Sequence, residues 1–328
     1  MFQSSHTMKQ QASRSKRPKT RYKVKNWSAY NKALVNRGDI TMWIEEGIEQ
    51  IWYHQGPTQR GGQFVYSDEA IRIGLTVRQI FHLPFRQTEG FLKSITKLMG
   101  LNVHVPNYSR LCRRMKTLTV QIVPEKKITD IVFDGSGLKV FGEGEWKVRQ
   151  HGPSKRRTWR KLYIGLDPDS QEVQVMDVTQ NSVHDADAAK SLLGQHEMPE
   201  LKRFYGDGGF DKWKVYDILE QLKVKPIIPP QKNAKIKIHG NTRGKPKARD
   251  KTIRLIRKKG RKGWKIQSRY HKRSLSETFF FRYKTIFGDH LKSRILESQK
   301  NEVILNTIIL NKMIRIGKPE SYKVSSVA

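Results

Sequence analysis

The run Ile128-Thr129-Asp130-Ile131-Val132-Phe133-Asp134-Gly135-Ser136-Gly137 is apolar, rich in β-branched residues, and closes on an acid followed by glycines. It reads as a buried strand with Asp134 near its exit. The same pattern returns in Phe204-Tyr205-Gly206-Asp207-Gly208-Gly209. Between the two, Trp146 to Gln150 and Leu162 to Leu166 read as strands flanking a basic turn, Lys155-Arg156-Arg157, and Val173 to Val178 extends the sheet. Asp185 can cap a helix through Leu193, Trp213 to Leu222 is amphipathic at helical period, and Val224 to Ile228 is a last strand before Pro229-Pro230. No Gly-x-Gly-x-x-Gly opens a helix and no Gly-Lys-Ser/Thr loop is present, which argues against the common nucleotide-binding sheets.

After the last strand comes Tyr270-His-Lys-Arg273-Ser-Leu-Ser-Glu277-Thr-Phe-Phe-Phe-Arg-Tyr-Lys284. On a helix turning roughly 100° per residue, Tyr270, Arg273, Glu277 and Lys284 share an arc of about 60°. Phe279, Phe280, Tyr283, Ile286 and Phe287 fill the neighbouring arc. Such a helix packs by one side and offers a carboxylate between cations at its edge. Arg273 and Glu277 are also spaced as an ordinary i,i+4 ion pair on a solvated face, a reading this pair alone leaves open. The order of elements is strand, hairpin strands, helix, strand, helix, strand and then a carboxylate-bearing helix. It predicts an α/β fold with a ribonuclease-H-like mixed sheet.

Asp134, Asp207 and Glu277 lie far apart in the chain, so only a fold that gathers them makes one site. Carboxylate oxygens suit Mg²⁺ or Mn²⁺, whose remaining positions go to water and phosphate. Two such ions about 3.5 to 4 Å apart activate a water and stabilise a leaving oxygen in phosphodiester cleavage. The glycines beside Asp134 and Asp207 either admit a nucleic-acid backbone or make structural turns. Other acids, among them Asp167, Asp169, Asp177, Asp187 and Asp211, read as turns, caps or exposed groups, and Asp185 beside His184 reads as a helix cap rather than a metal ligand.

Composition points to the same chemistry. Lys and Arg number 64 against 30 Asp and Glu in 328 residues, a formal charge of +34. That excess selects polyanions, above all nucleic acid, without separating catalysis from coating. With 36% hydrophobic residues, the chain can build one catalytic domain and a smaller accessory one. The single Cys112 leaves no intramolecular disulfide or Cys-based zinc site and suits a reducing, cytoplasmic compartment. No apolar run approaches the roughly 18 residues of a membrane helix, and no apolar secretion segment opens the chain.

Four regions are expected. Residues 1–38 form a flexible basic arm, with eight Lys or Arg and no acid in residues 1–25. Residues 39–122 are helical. Asp39 caps a helix through Trp43, Ile44, Ile48, Ile51 and Trp52, with Glu45 and Glu46 near its positive end, and Ser67 opens another. Thr88 and Glu89 lead into a further helix that ends at Gly100, and the last begins near Tyr108 and exposes Arg110, Arg113, Arg114 and Lys116. This order matches a helix-turn-helix or a plain bundle. Residues 127–317 form the core, interrupted by a basic insertion at 231–269. Residues 231–273 carry eighteen Lys or Arg and one acid, Asp250. So charged a stretch is expected to lie extended along DNA, with Trp264 either stacking on a base or anchoring the segment to the core. Asn301 to Ile316 is a structural helix, and 318–328 is a frayed tail.

Tyr, two residues, Arg, three residues, Glu, six residues, Lys resembles the Tyr-Arg-Glu-Lys signature of DDE transposases from bacterial insertion sequences, in the group of insertion-sequence families four and five. The resemblance includes Phe133-Asp134-Gly135-Ser136-Gly137-Leu138-Lys139 and Tyr205-Gly206-Asp207-Gly208-Gly209. It extends to Leu83-Pro-Phe-Arg-Gln-Thr-Glu-Gly-Phe-Leu-Lys-Ser and Val105-Pro-Asn-Tyr-Ser-Arg-Leu-Cys-Arg-Arg. It implies a ribonuclease-H-like catalytic core in which Asp134, Asp207 and Glu277 bind two Mg²⁺ (or Mn²⁺) ions. Tyr270, Arg273 and Lys284 would hold DNA phosphates or the displaced strand near the cut. The resemblance also implies that the helical region binds double-stranded DNA at terminal inverted repeats through Arg110, Arg113, Arg114 and Lys116. Water frees a 3′-hydroxyl that attacks target DNA, and a homodimer or higher oligomer forms the synaptic complex on the bacterial nucleoid. A non-catalytic repressor derived from such an element, or a structure-specific nuclease of the same fold, would share the charge. The intact triad favours the transposase over the first, and the full signature favours it over the second.

Overall fold

The computed structural model describes residues 21–324 apart from 45, 58–59, 126, 141–158 and 239–245. Most of the expected arm, Glu45, the expected strand Trp146 to Gln150 and the turn Lys155-Arg156-Arg157 lie outside the described residues. The two ends of the described chain pair with each other. Strand β1 (Arg21–Val24) runs antiparallel to β8 (Ser321–Val324), and α1 (Trp27–Asn36) follows β1. Residues 21–36 are therefore not a loose arm, and 321–324 are not a frayed end. Asn26 joins them, its Nδ2 donating to Lys318 O at 3.0 Å and its Oδ1 accepting from Glu320 N at 2.8 Å. Backbone pairing of this kind is indifferent to net charge, so a basic composition does not by itself mark a segment as unstructured.

The helix expected from Asp39 to Trp52 is broken. Asp39 caps only a single 3₁₀ turn, Ile40–Met42, accepting from Thr41 N at 2.9 Å, and Gly47 at φ 74° then separates it from the short α2 (Ile48–Ile51). A left-handed residue of this kind ends a helix. Helix α3 (Asp68–Ile80) starts where Ser67 Oγ accepts from Ala70 N, with Asp68 and Glu69 in its first turn. Pro84 stands at the N-cap of α4 (Phe85–Leu98), and Asn107 caps α5 (Tyr108–Thr117) by accepting from Arg110 N. These helices enclose Ile71, Leu75, Leu92, Leu111 and Met115. Gly74 lets α3 approach closely, because a Cβ there would stand 2.9 Å from Leu111 Cδ2.

The sheet is formed by β2 (Asp130–Val140), β3 (Trp159–Leu166), β4 (Val173–Gln180), β5 (Arg203–Tyr205) and β6 (Lys225–Ile227), in the order β4-β3-β2-β5-β6. The pairs β2–β3 and β3–β4 are antiparallel, whereas β2–β5 and β5–β6 are parallel. A two-residue strand, β7 (His290–Leu291), pairs with the far end of β2 at Lys139 and Val140. Helices α6 (Asp185–Gln195) and α7 (Trp213–Gln221) cover one face against Ile131, Phe133 and Phe204. The other face carries Val132, Leu138 and Tyr205. This mixed, helix-covered sheet is the ribonuclease-H-like core. One detail is corrected: β2 continues past Asp134 to Val140, so the acid lies in mid-strand and Gly135 and Gly137 are not a turn. The cause is non-local. Gly135 pairs with Tyr163, and a Cβ on it would meet that ring at 2.8 Å.

The basic insertion is also corrected, from extended chain to helix α8 (Ala248–Gln267), kinked at Gly260 with φ 71° and ψ 165°. Its one acid explains it. Asp250 is fully buried and accepts from Lys237 N and Ile238 N, each at 3.0 Å, while Ile253 and Trp264 are buried below. Trp264 packs on Tyr270 with ring centroids 5.3 Å apart, so it anchors the segment rather than facing solvent. A 3₁₀ turn, Tyr270–Arg273, leads into α9 (Ser274–Phe287), and α10 (Leu296–Ile316) crosses the second face. No helix of the described residues is long and apolar enough to cross a membrane. Asn311 on α10 accepts from Val173 N at 2.9 Å and donates to Val173 O at 2.8 Å. Asn311→Ala leaves both buried groups unpaired and is expected to lower unfolding free energy by about 2 kcal/mol, measured by urea denaturation.

Candidate active site

Val132 pairs with Tyr205 in parallel register. Two residues further on stand Asp134, still within β2, and Asp207, beyond the end of β5 as the N-cap of a 3₁₀ turn, Gly208–Phe210. Beyond Val132 the β5 side of β2 is unpaired until β7 joins at Lys139, so among the described residues β2 presents an open edge at Asp134. Asp134 borders two clefts that meet there. One, of about 240 Å³, contains Asp207, Lys161, Tyr163 and Asp185. The other contains Arg273, Glu277, Phe281 and Lys284.

The carboxylates are held by short contacts. Asp134 Oδ1 accepts from Gly135 N at 2.9 Å, and Oδ2 accepts from Ser276 Oγ at 2.6 Å and from Arg273 Nη1 at 3.2 Å. The other Arg273 nitrogen, Nη2, pairs with Glu277 Oε1, so one guanidinium bridges Asp134 and Glu277. Asp207 Oδ1 accepts from Gly209 N at 2.8 Å. Burial raises the Asp134 carboxyl above its ordinary range. The bonds from Ser276, Gly135 and Arg273 oppose that shift, and the neighbouring charge of Asp207 adds to it.

Asp134, Asp207, Glu277, Arg273 and Lys284 are thus brought to one edge. The signature does not lie on one α-helix: Tyr270 stands in a 3₁₀ turn, Tyr270–Arg273, that precedes α9, while Arg273, at the N-cap with α-helical φ and ψ, still pairs with Glu277 across i,i+4. The turn itself is fixed by Lys272, whose Nζ donates at 3.0 Å to Asp130 Oδ2, a fully buried carboxylate also paired with Arg203 Nε at 2.5 Å. Tyr270 lies against Trp264, and its hydroxyl pKa is raised chiefly by burial, with Asp207 and Asp134 adding to the shift and Arg273 opposing it. Of the four cations expected on α5, Arg114 is engaged with Asp68 and Tyr66 O, and Arg110 lies over the Tyr66 ring. Arg113 and Lys116 are exposed.

Sequence reasoning missed Ser276, Lys161 and Tyr163, and it assigned Asp185 to a cap. His184 occupies the cap position, without a side-chain bond, and Asp185 is the first helical residue. Its Oδ1 accepts from Tyr163 Oη at 2.7 Å and from Lys161 Nζ at 3.1 Å. Burial works against its charge, yet these bonds outweigh burial and keep the carboxyl below its ordinary range. Ser276 directly precedes Glu277 on the inward side of α9, in phase with the buried Phe279, Phe280 and Tyr283.

The donor set fits a hard divalent cation. Oxygen ligands predominate, and Gly209 leaves a recess: a Cβ there would lie 2.9 Å from Asp207 Oδ1 and 3.5 Å from Asp185 Oδ2. Among the described residues no group of three or more His, Cys, Asp or Glu side chains is placed to hold a metal ion. Glu277 instead faces Arg273. Mg²⁺ commonly takes one or two carboxylates and completes its shell with water and substrate, so an open set is compatible with it.

Two family models, each described as a transposase DDE domain, match the chain, one over residues 35–143 and one over residues 125–312. The second spans more than half of the chain and includes Asp134, Asp207 and Glu277. The protein belongs to the DDE transposase family. Members are transposition enzymes that act on DNA and typically use divalent metal ions.

The raised carboxyl of Asp134 has a thermodynamic consequence. Because the folded pKa lies above the unfolded one, its stabilising contribution is complete below the unfolded pKa and is lost as pH rises through the folded one. Asp134→Asn is therefore expected to raise the melting temperature of the metal-free protein at pH 7, with the difference from wild type narrowing near pH 4, as followed by calorimetry.

Proposed function

We propose that this transposase cuts DNA at the terminal inverted repeats of its own insertion sequence and joins the freed end to target DNA. The observation that carries this reading is the open β2 edge, where Asp134 has Asp207 on one side and the Arg273–Glu277 pair on the other. Asp134, Asp207 and Glu277 would hold two Mg²⁺ or Mn²⁺ ions, which when bound supply charge neutralisation at the attacked phosphate. In the first step a water oxygen bonds to phosphorus and the 3′-oxygen leaves as a hydroxyl. That hydroxyl then attacks a target phosphate, and the target's 3′-oxygen leaves in turn.

The side chains around the acids have separable tasks. Ser276 and Gly135 N–H orient the Asp134 carboxylate. Arg273 and Lys284 border the same cleft as Glu277 and offer cations to DNA phosphates, Arg273 in a planar fork suited to two oxygens. Tyr270 lies next to them, with the displaced strand as its partner. On α5, the exposed Arg113 and Lys116 are the side chains to read or grip the terminal repeat. The basic α8 tracks phosphates beside the core. Two DNA ends require two such sites, and a homodimer or larger synaptic complex supplies them. The Tyr-Arg-Glu-Lys spacing supports placement among insertion-sequence families four and five.

The test uses a DNA segment carrying the gene with both flanks, incubated with wild-type protein or Glu277→Gln in Mg²⁺, with cuts and joined products mapped by sequencing. Wild type is expected to cut at inverted repeats and to join ends to target. The variant should lose both reactions to background while retaining gel-shift affinity within about twofold. Cleavage by the variant at the wild-type rate would remove Glu277 from the centre. In a separate binding assay, Arg113→Ala with Lys116→Ala should weaken affinity for the terminal repeat by about 1 to 3 kcal/mol if either side chain reads a base. An unchanged affinity would dismiss α5 as the reading helix.

A further inference from the structure

Lys161 is the cation of the cleft for which neither the signature nor the triad accounts. It lies on β3 opposite Gly137, one step from Tyr163 opposite Gly135. Residues 135 and 137 carry no side chains, so the side chains of the inner strand reach the open edge of β2 and border the same cleft as Asp134 and Asp207. The Lys161 ammonium is held from behind: Nζ donates to Val183 O at 2.9 Å and to Asp185 Oδ1 at 3.1 Å. Tyr163 Oη donates to the same Asp185 oxygen at 2.7 Å and fixes it. An ammonium has three donors, and among the described residues two are used here, leaving one for a further acceptor.

A surface ion pair does not explain this arrangement. Lys161 and Asp185 are each partly exposed, and such pairs contribute about 0 to 1 kcal/mol. The cation is instead oriented by two fixed acceptors at the edge of an acid-lined cleft. Arg273 and Lys284 stand on the α9 side of Asp134, and Lys161 stands on the α6 side. A DNA strand crossing the open edge over Asp134 would pass between them.

We propose that Lys161, positioned by Asp185 and Tyr163, binds a non-bridging phosphate oxygen of the DNA strand lying over Asp134, on the side opposite Arg273 and Lys284. This deepens the transposase reading and rests on it. Asp185 and Tyr163 act through Lys161 as positioning residues, and no bond is made or broken by the three.

The experiment measures binding of the full-length protein in Ca²⁺ to synthetic duplexes of the element end. In each duplex one phosphate near the cut is replaced by a neutral methylphosphonate. Wild type is expected to lose about tenfold in affinity at the contacted phosphate, a charge-assisted bond's worth. Lys161→Gln should bind about tenfold more weakly to the unmodified duplex, be insensitive to neutralisation of that one phosphate, and show a slope of log K against log salt smaller by about one. Lys161→Arg should restore sensitivity there, and Asp185→Asn, which leaves the ammonium unanchored, should blunt it. Melting curves are run for each variant. A folded Lys161→Gln protein that remains as sensitive as wild type at every phosphate, with an unchanged salt slope, overturns the proposal. So does a folded Lys161→Arg protein without recovery. If wild type binds these ends but never cuts them in Mg²⁺, the transposition reading fails on its own, because the phosphate scan is read without cleavage.

Discussion

Helix α10 is the member to which the other parts of the molecule are referred. Most of its circumference is buried, so its polar side chains must find partners inside the protein. Asn301 Nδ2 donates to Met115 O and Leu118 O, taking carbonyls at the end of α5. Glu302 accepts from Lys292 N and Ser293 N just after β7, and Asn306 Nδ2 donates to the buried Tyr283 hydroxyl of α9 at 3.1 Å. With Asn311 on β4, one rod sets the spacing of the helical region, the sheet and the helix that bears Glu277. Leu305 carries the apolar core of α3 and α5 onto this rod as well.

Asp130 and Asp134 lie four residues apart on one face of β2, and their environments separate their duties. Asp130 is fully buried and compensated by Arg203 and Lys272. It is a clamp, drawing the turn that bears Tyr270 and Arg273 onto the sheet. Asp134 stands where the strand edge opens, under-compensated enough that burial dominates its protonation. Burial disfavours the charged form of that carboxylate in the free protein, and a cation completing its surroundings would favour it. Swapping the two environments would leave the turn loose and the open edge neutralised.

The order of elements along the chain was legible because elements declare themselves locally, through β-branched runs before Asp134 and Asp207 and through the cap at Ser67. What was not legible depended on partners distant in sequence. Gly135 and Gly137 look like a turn until the Tyr163 ring is known to occupy the space beside Gly135. The insertion looks too charged to fold until Asp250 is seen buried beneath two backbone amides. Asp185 looks like a cap because its neighbours on β3 come from another part of the chain. Of the site, Asp134, Asp207 and Glu277 were readable as residues, and so was the spacing of Arg273 and Glu277, but the bridge from Arg273 to Asp134 required the contact between β2 and the turn before α9.

Charge arithmetic at the cleft bears on how such a protein accommodates a polyanion at its most acidic edge. Carboxylates at Asp134, Asp207, Asp185 and Glu277 would repel a phosphate if they stood alone. Arg273 occupies the gap between two of them and screens both. Lys161 and Lys284 extend it to either side. The overall charge of +34 would serve a different purpose: attraction of a polyanion from a distance, fading with salt. Attraction at long range and neutralisation at short range are thus assigned to different residues. On the transposase reading proposed above, that division would let the acids stay close together without barring a phosphate's approach.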